Sequence, residues 1–181
     1  MEKNTKNVKN WLSSDVFIGI LLVLSRIPYY LTRHVQEDAY IFFRTARNFV
    51  DTGYYGFNPG ERVSVCTSHL YFGLLALLRL LFGDMFIGIA LVMGTIATVI
   101  ALRMLAALVL PGKKARVLWM LASFLPSSLM ISYSGMEVSF VLLWIAIVLT
   151  VISKSNDGDR PVVAILMFVI PWLRPELFAL G

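Results

Sequence analysis

Charge is scarce in this chain. Only 15% of its 181 residues are Asp, Glu, Lys or Arg, against about 25% in a typical soluble domain. That scarcity excludes an ordinary soluble enzyme and a disordered tail. Cys66 is the one cysteine, so no internal disulfide scaffold is possible. One cysteine and two histidines leave no zinc-ligand spacing either. Apolar residues take up the difference, at 58% of the chain with a mean hydropathy of +0.76. The net charge of +5 does not read as nucleic-acid binding. The lysines and arginines sit at the ends of apolar runs, where they orient membrane helices. The reading is an all-α integral membrane protein, with residues 1–181 forming a single transmembrane domain.

A helix needs about 20 apolar residues to cross a bilayer. The first candidate runs from Leu12 to Thr32, after Lys3, Lys6 and Lys9. It is too long for a signal-peptide core and no small-residue cleavage site follows, so it reads as a retained anchor with a cytoplasmic N-terminus. Met85–Leu110, Ala115–Ser132, Val138–Ile152 and Val162–Leu180 supply four more candidates. The loops Pro111–Arg116 and Ser153–Arg160 are basic and read as cytoplasmic. His69–Phe82 is short for a crossing. Parity of the loops makes it an interfacial or re-entrant helix on the outer side. Five crossings follow, or six if His69–Phe82 spans. Residues 34–68 become the first outer loop. Within it, Asp38–Val50 places Ile41, Phe42, Ala46, Phe49 and Val50 near one face, as an interfacial amphipathic helix does. Gly53, Gly56, Pro59 and Gly60 mark the loop that follows.

A charge in or beside a span is a functional hypothesis by default. Arg174 lies about 20 Å along the last helix from Pro161, between Pro171 and Pro175. Arg26, beside Pro28, reaches a similar height on the first helix. Glu37, Asp38, Glu137 and Glu176 flank the same level. These six groups are expected to meet in one outer-leaflet pocket. Each also has a plainer reading. Glu37 and Asp38 read alone as solvated acids, Arg174 and Glu176 as a structural ion pair, and Arg26 as structural. Arg103 reads as a snorkelling side chain, His69 as a loop residue, and Cys66 as an inert small residue.

The wording of the sequence is more specific. Glu37-Asp-Ala-Tyr-Ile-Phe-Phe-Arg44 continues as Thr-Ala-Arg-Asn48. Gly56-Phe-Asn-Pro-Gly-Glu-Arg-Val63 and Cys66-Thr-Ser-His-Leu-Tyr71 follow, then Ser134-Gly-Met-Glu137 and Arg174-Pro-Glu176. In this order the motifs resemble the N-terminal half of a GT-C-fold, polyprenyl-phosphate-dependent glycosyltransferase. The mycobacterial terminal arabinofuranosyltransferase and its bacterial relatives are of this kind. The resemblance runs from about Arg33 to Gly181. It departs at Glu37, where Asp is common, at Cys66, His69 and Tyr71, and at Val138 and Leu177.

The resemblance implies a GT-C-like transmembrane module, incomplete at Gly181, with a C-terminal half to follow. It implies transfer of a sugar from a lipid-linked donor to a glycan or lipid acceptor of the cell envelope, on the outer face of the membrane. Asp38 would be the general base, tuned by Glu37. Arg174 and then Arg44 would hold the donor phosphate. Glu137 and Glu176 would orient Arg174 or bind sugar hydroxyls, and Tyr40, Tyr54 and Tyr55 would stack on sugar or prenyl chain. The resemblance implies no particular cofactor. A divalent cation could sit on the paired carboxylates. The competing reading is a non-catalytic membrane protein: a flippase or transporter subunit for lipid-linked sugars, or a truncated, inactive transferase.

Overall fold

The computed structural model describes residues 14–32, 35–58, 66–155 and 160–175. All regular structure among them is helical. Helix α1 is Ser14–Leu31, α2 Glu37–Thr52 and α3 His69–Phe82. A 3-10 turn, Gly83–Met85, leads into α4, Phe86–Val109. Then come α5 Gly112–Ser123, α6 Pro126–Tyr133, α7 Val138–Lys154 and α8 Arg160–Leu173.

Two stretches are long and apolar enough to cross a membrane. One is α1, with a mean hydropathy of 1.4, and the other is the 41-residue run His69–Val109, with a mean hydropathy of 2.4. A third exists if α5 and α6 form one span bent by 71°. Helices α7 and α8 are apolar but shorter, at 17 and 14 residues.

Two breaks have local causes. Ala115–Ser132 was expected as one span, yet it parts at Phe124–Leu125. Pro126 has no N–H to give and forces the residue before it out of helical geometry. Leu125 accordingly sits at φ −61°, ψ 140°. Between α3 and α4 the chain turns at Gly83, with φ 58° and ψ −134°, a conformation that glycine takes without Cβ strain.

Helix α2 is amphipathic, as its spacing predicts, but the buried face is rotated from the expected one. Ala39, Phe42, Phe43, Thr45 and Ala46 are buried, whereas Phe49 is exposed and Ile41 and Val50 are half-buried. The cause is protein packing. Phe42 meets Tyr71 of α3 edge-on at 5.4 Å, and Phe43 meets Phe86 of α4 at 6.0 Å. Leu75, Ala90 and Cys66 complete this first core.

A second core joins α1, α4 and α5 through Leu22, Val99, Ala106, Ala115 and Trp119. The Trp119 indole N–H donates to the Val99 carbonyl at 2.9 Å. At this end Asp15 accepts from Arg103 at 2.7 Å and also from Arg116. Arg103, expected to snorkel, therefore spends its charge on an acid of α1. An intramembrane arginine within reach of a carboxylate takes that partner in preference to a bare interface. Gly94 brings α4 close to α7, where a Cβ would stand 3.4 Å from the Ser139 hydroxyl. Small residues allow such close approach between membrane helices. Trp144 ties α7 to α8 by donating to the Leu166 carbonyl at 2.8 Å.

Candidate functional site

The turn between α6 and α7 is Ser134-Gly-Met-Glu137. Gly135 holds φ 75°, a region costly to residues with a Cβ. A Cβ there would lie 3.0 Å from Phe43 and Val35 and 3.1 Å from Ala39. The α2 entry thus packs directly on the glycine. Just before α2, the Gln36 N–H donates to the Ser134 carbonyl at 3.1 Å. From α3, the Tyr71 hydroxyl donates to the Gly135 carbonyl at 2.6 Å. Ser68 caps α3 by accepting from the Tyr71 N–H at 3.3 Å, one of the orphan donors of a helix start. Three segments far apart in sequence meet at this one turn.

A fourth joins from below. Glu137 is 1% exposed, and its Oε1 lies 3.9 Å from Nε of Arg174 at the end of α8. Its carboxylate points to Arg174 rather than to solvent. Cys66 is buried beside this junction. Burial is the main cause that pushes its thiol up to about 11, and the Glu137 charge adds to the rise.

Glu37 and Asp38 stand exposed in the first turn of α2, where the helix dipole favours acids. On the outward face of α2 lies a cavity of about 530 Å³ lined by Tyr40, Phe43, Arg44, Arg47, Phe57 and Ile87. The Arg44 guanidinium lies 4.3 Å over the Phe57 ring. Asn48 fixes that ring by donating to the Gly56 and Phe57 carbonyls at 2.9 and 3.1 Å. Stacking occupies the face of a guanidinium and leaves its in-plane N–H groups for an anion. Glu37 and Arg44, seven residues apart, share one face of α2 about 10 Å apart along its axis. Tyr40 is exposed between them and meets Phe43 edge-on at 6.3 Å. Tyr54 and Tyr55 follow α2 and are half-buried, with Tyr55 edge-on to Phe72 at 4.9 Å.

The expected six-group pocket does not form as such. Arg26 is fully buried elsewhere, donating to the Leu22 carbonyl at 2.8 Å and to the Ser123 carbonyl. It fills the break between α5 and α6, whose last carbonyls need donors. Of these groups, Arg174 is the one with an ion pair to Glu137 among the described residues, and Glu176 lies outside them. His69 opens α3 instead of lying in a loop, because Ser68 caps the helix there.

Sequence reasoning missed an ion network that joins α2 to α3. Arg79 donates to both oxygens of Asp51, at 3.1 and 2.7 Å, and pairs with Asp84, which Arg47 also approaches at 3.5 Å. The hydrogen bond from Arg79 is the main cause that holds the Asp51 carboxyl below its ordinary range. The available signal was an arginine inside an apolar run, which demands a partner. Among the described residues no three His, Cys, Asp or Glu side chains gather as metal ligands.

The chain matches no family model, no curated protein and no solved structure.

Proposed function

We propose that this chain is the membrane module of a GT-C-type glycosyltransferase, moving a sugar from a polyprenyl-phosphate donor to a cell-envelope acceptor. In this reading α1, α4, the bent α5–α6 pair, α7 and α8 make five crossings. The N-terminus is cytoplasmic, and α2 and α3 lie on the outer face. One observation carries the proposal. Four segments that carry the motifs behind the resemblance, spread over more than 130 residues, meet at the Ser134–Glu137 turn: the entry to α2, the start of α3 at Tyr71 (itself a departure from the family pattern), the turn, and Arg174 on Glu137. Unrelated helices have no need to bring those segments to one point.

Asp38 is the proposed general base, exposed at the start of α2 with Glu37 beside it. It takes the proton of an acceptor hydroxyl as that oxygen bonds to the anomeric carbon. The bond from that carbon to the phosphate oxygen breaks, and the lipid phosphate leaves with its charge. Arg44 and Arg174 are the cations proposed for that charge, and a planar guanidinium suits a phosphate's paired oxygens. Arg44 is the better exposed to a ligand. Glu137 is assigned to orienting Arg174, since its burial keeps it from a solvated sugar. Tyr40 would pack on the sugar, and the Tyr54–Tyr55 segment would shape the wall behind it.

The test uses membranes containing the chain and a panel of radiolabelled polyprenyl-phosphate sugars. Transfer by the wild type, lost on Asp38→Asn with equal protein in the membrane, is the expected result. Unchanged transfer in Asp38→Asn sinks the assignment of the base. No transfer from any donor overturns the enzymatic reading in favour of a non-catalytic membrane protein.

A further inference from the structure

We propose that the groove on the face of α5 turned away from the core holds one anionic phospholipid of the bilayer, with its phosphate on Lys113 and Lys114 and an acyl chain along Val117 and Leu121. The groove has a volume of about 400 Å³ and is lined by Leu110, Lys113, Lys114, Val117, Leu118 and Leu121. Positions 114, 117, 118 and 121 follow helical spacing and share one face. The opposite face of α5 carries Ala115, Trp119 and Ser123, all buried against the rest of the protein. The groove therefore looks away from the core.

Its two ends differ in chemistry. The lining itself is apolar, the lysine stems included; Lys113 and Lys114 are exposed, paired with no carboxylate among the described residues, and carry their ammonium groups beyond one end of it. Among the described residues Asp15 is the acid at this end of the bundle, and Arg103 and Arg116 already hold it. The first turn of α5 has no acidic residue and its N-cap makes no side-chain hydrogen bond, so the local field is positive. Further along α5 the wall is apolar, with Val117 51% and Leu121 66% exposed. A free phosphate would use the lysines and leave that wall bare. A neutral lipid would cover the wall and leave the lysines without an anion. An anionic phospholipid satisfies both, and basic clusters at helix ends attract such headgroups. This site is independent of any transferase activity.

The test is a lipid titration of the full chain in a neutral detergent, read as the thermal midpoint. Dioleoyl phosphatidylglycerol should raise the midpoint, and dioleoyl phosphatidylcholine should not. The double variant Lys113→Gln/Lys114→Gln removes no hydrogen bond or ion pair among the described residues and should fold. Its apparent lipid affinity should fall about thirty-fold, from about 1 kcal/mol for each lysine beside an anionic surface. Equal stabilisation by both lipids, or an unchanged response in the double variant, overturns the proposal. Stabilisation by inorganic phosphate alone overturns it in favour of an ion site. Rapid disulfide dimerisation of Val117→Cys that added phosphatidylglycerol does not slow overturns it in favour of a contact between two copies.

Discussion

Tyr71 and Gly135 are 64 residues apart in sequence, and the hydroxyl of one lies 2.6 Å from the carbonyl oxygen of the other. The bond locks the start of α3 to the turn between α6 and α7. Gly135 also receives the side chains that open α2, so one residue serves two contacts at once. Its carbonyl takes a donor, while its missing Cβ makes room for Val35, Ala39 and Phe43.

Two substitutions separate those roles. Tyr71→Phe keeps the ring in the core and leaves the Gly135 carbonyl without its donor, a loss of about 1–3 kcal/mol for a buried group. Gly135→Ala imposes a positive φ on alanine, at about 1–2 kcal/mol, and drives a methyl into side chains about 3 Å away. The alanine variant should be the less stable of the two. Thermal unfolding in detergent, followed by circular dichroism, gives the order; alanine as the milder change would mean the turn is not packed as described.

Cys66 should resist alkylation in the folded protein. It is buried, and its thiol is pushed up to about 11. The thiolate is the reactive form, so little is present at pH 7.5. N-Ethylmaleimide should label the native protein slowly and the SDS-denatured protein within minutes. Equal labelling rates would contradict both its burial and its packing with Thr45 and Tyr55.

The Asp51–Arg79 pair sets an acid limit. The Asp51 carboxyl titrates below its ordinary value of 3.8, chiefly through the hydrogen bond from Arg79. A group with a lowered folded value stabilises the fold at pH above its unfolded value. That contribution disappears as pH falls through the folded value. The wild type should therefore lose thermal stability below about pH 3.8 more steeply than Asp51→Asn, and the gap between them should narrow in acid. The pair is solvent-facing, so high salt should shrink the gap as well. A gap that stays constant from pH 6 to pH 3 would show that the ion pair does not hold α2 to α3.

Much of the helical frame was legible in the sequence. The spacing of Phe42 and Ala46 marks α2, the polar interval after Gly53 ends it, and Gly83 and Pro111 punctuate the apolar runs. The rest depended on pairings that periodicity does not encode. Nothing local tells Asp15 that its partners are Arg103 and Arg116, or sends Tyr71 to Gly135. Depth counting put Arg26 and Arg174 at one level, but level is not position: Arg26 turns to the Leu22 and Ser123 carbonyls, and Arg174 to Glu137. The site motifs were readable as words, and their meeting at Gly135 required the fold.

Arg26 shows what such a pairing does. It is fully buried in α1, and its guanidinium donates to the carbonyls of Leu22 and Ser123 and to the Ser25 hydroxyl, with the Phe124 ring 5.4 Å away. Helix α5 ends at Ser123, and its last carbonyls carry the negative end of the helix dipole. A planar, multidonor cation meets them where the 71° bend opens. Arg26→Leu should therefore cost more than the charge alone suggests. Leucine removes a buried cation, which favours the variant, but it strands the Ser123 carbonyl at about 1–3 kcal/mol. Arg26→Lys keeps the charge on a point-like ammonium that cannot span both carbonyls in one plane. If the bend rests on this contact, both variants should lose thermal stability, and protease cleavage between Ser123 and Pro126 should rise in both. If Arg26→Leu proves as stable as the wild type and equally protected there, Pro126 alone maintains the bend and the guanidinium merely fills space.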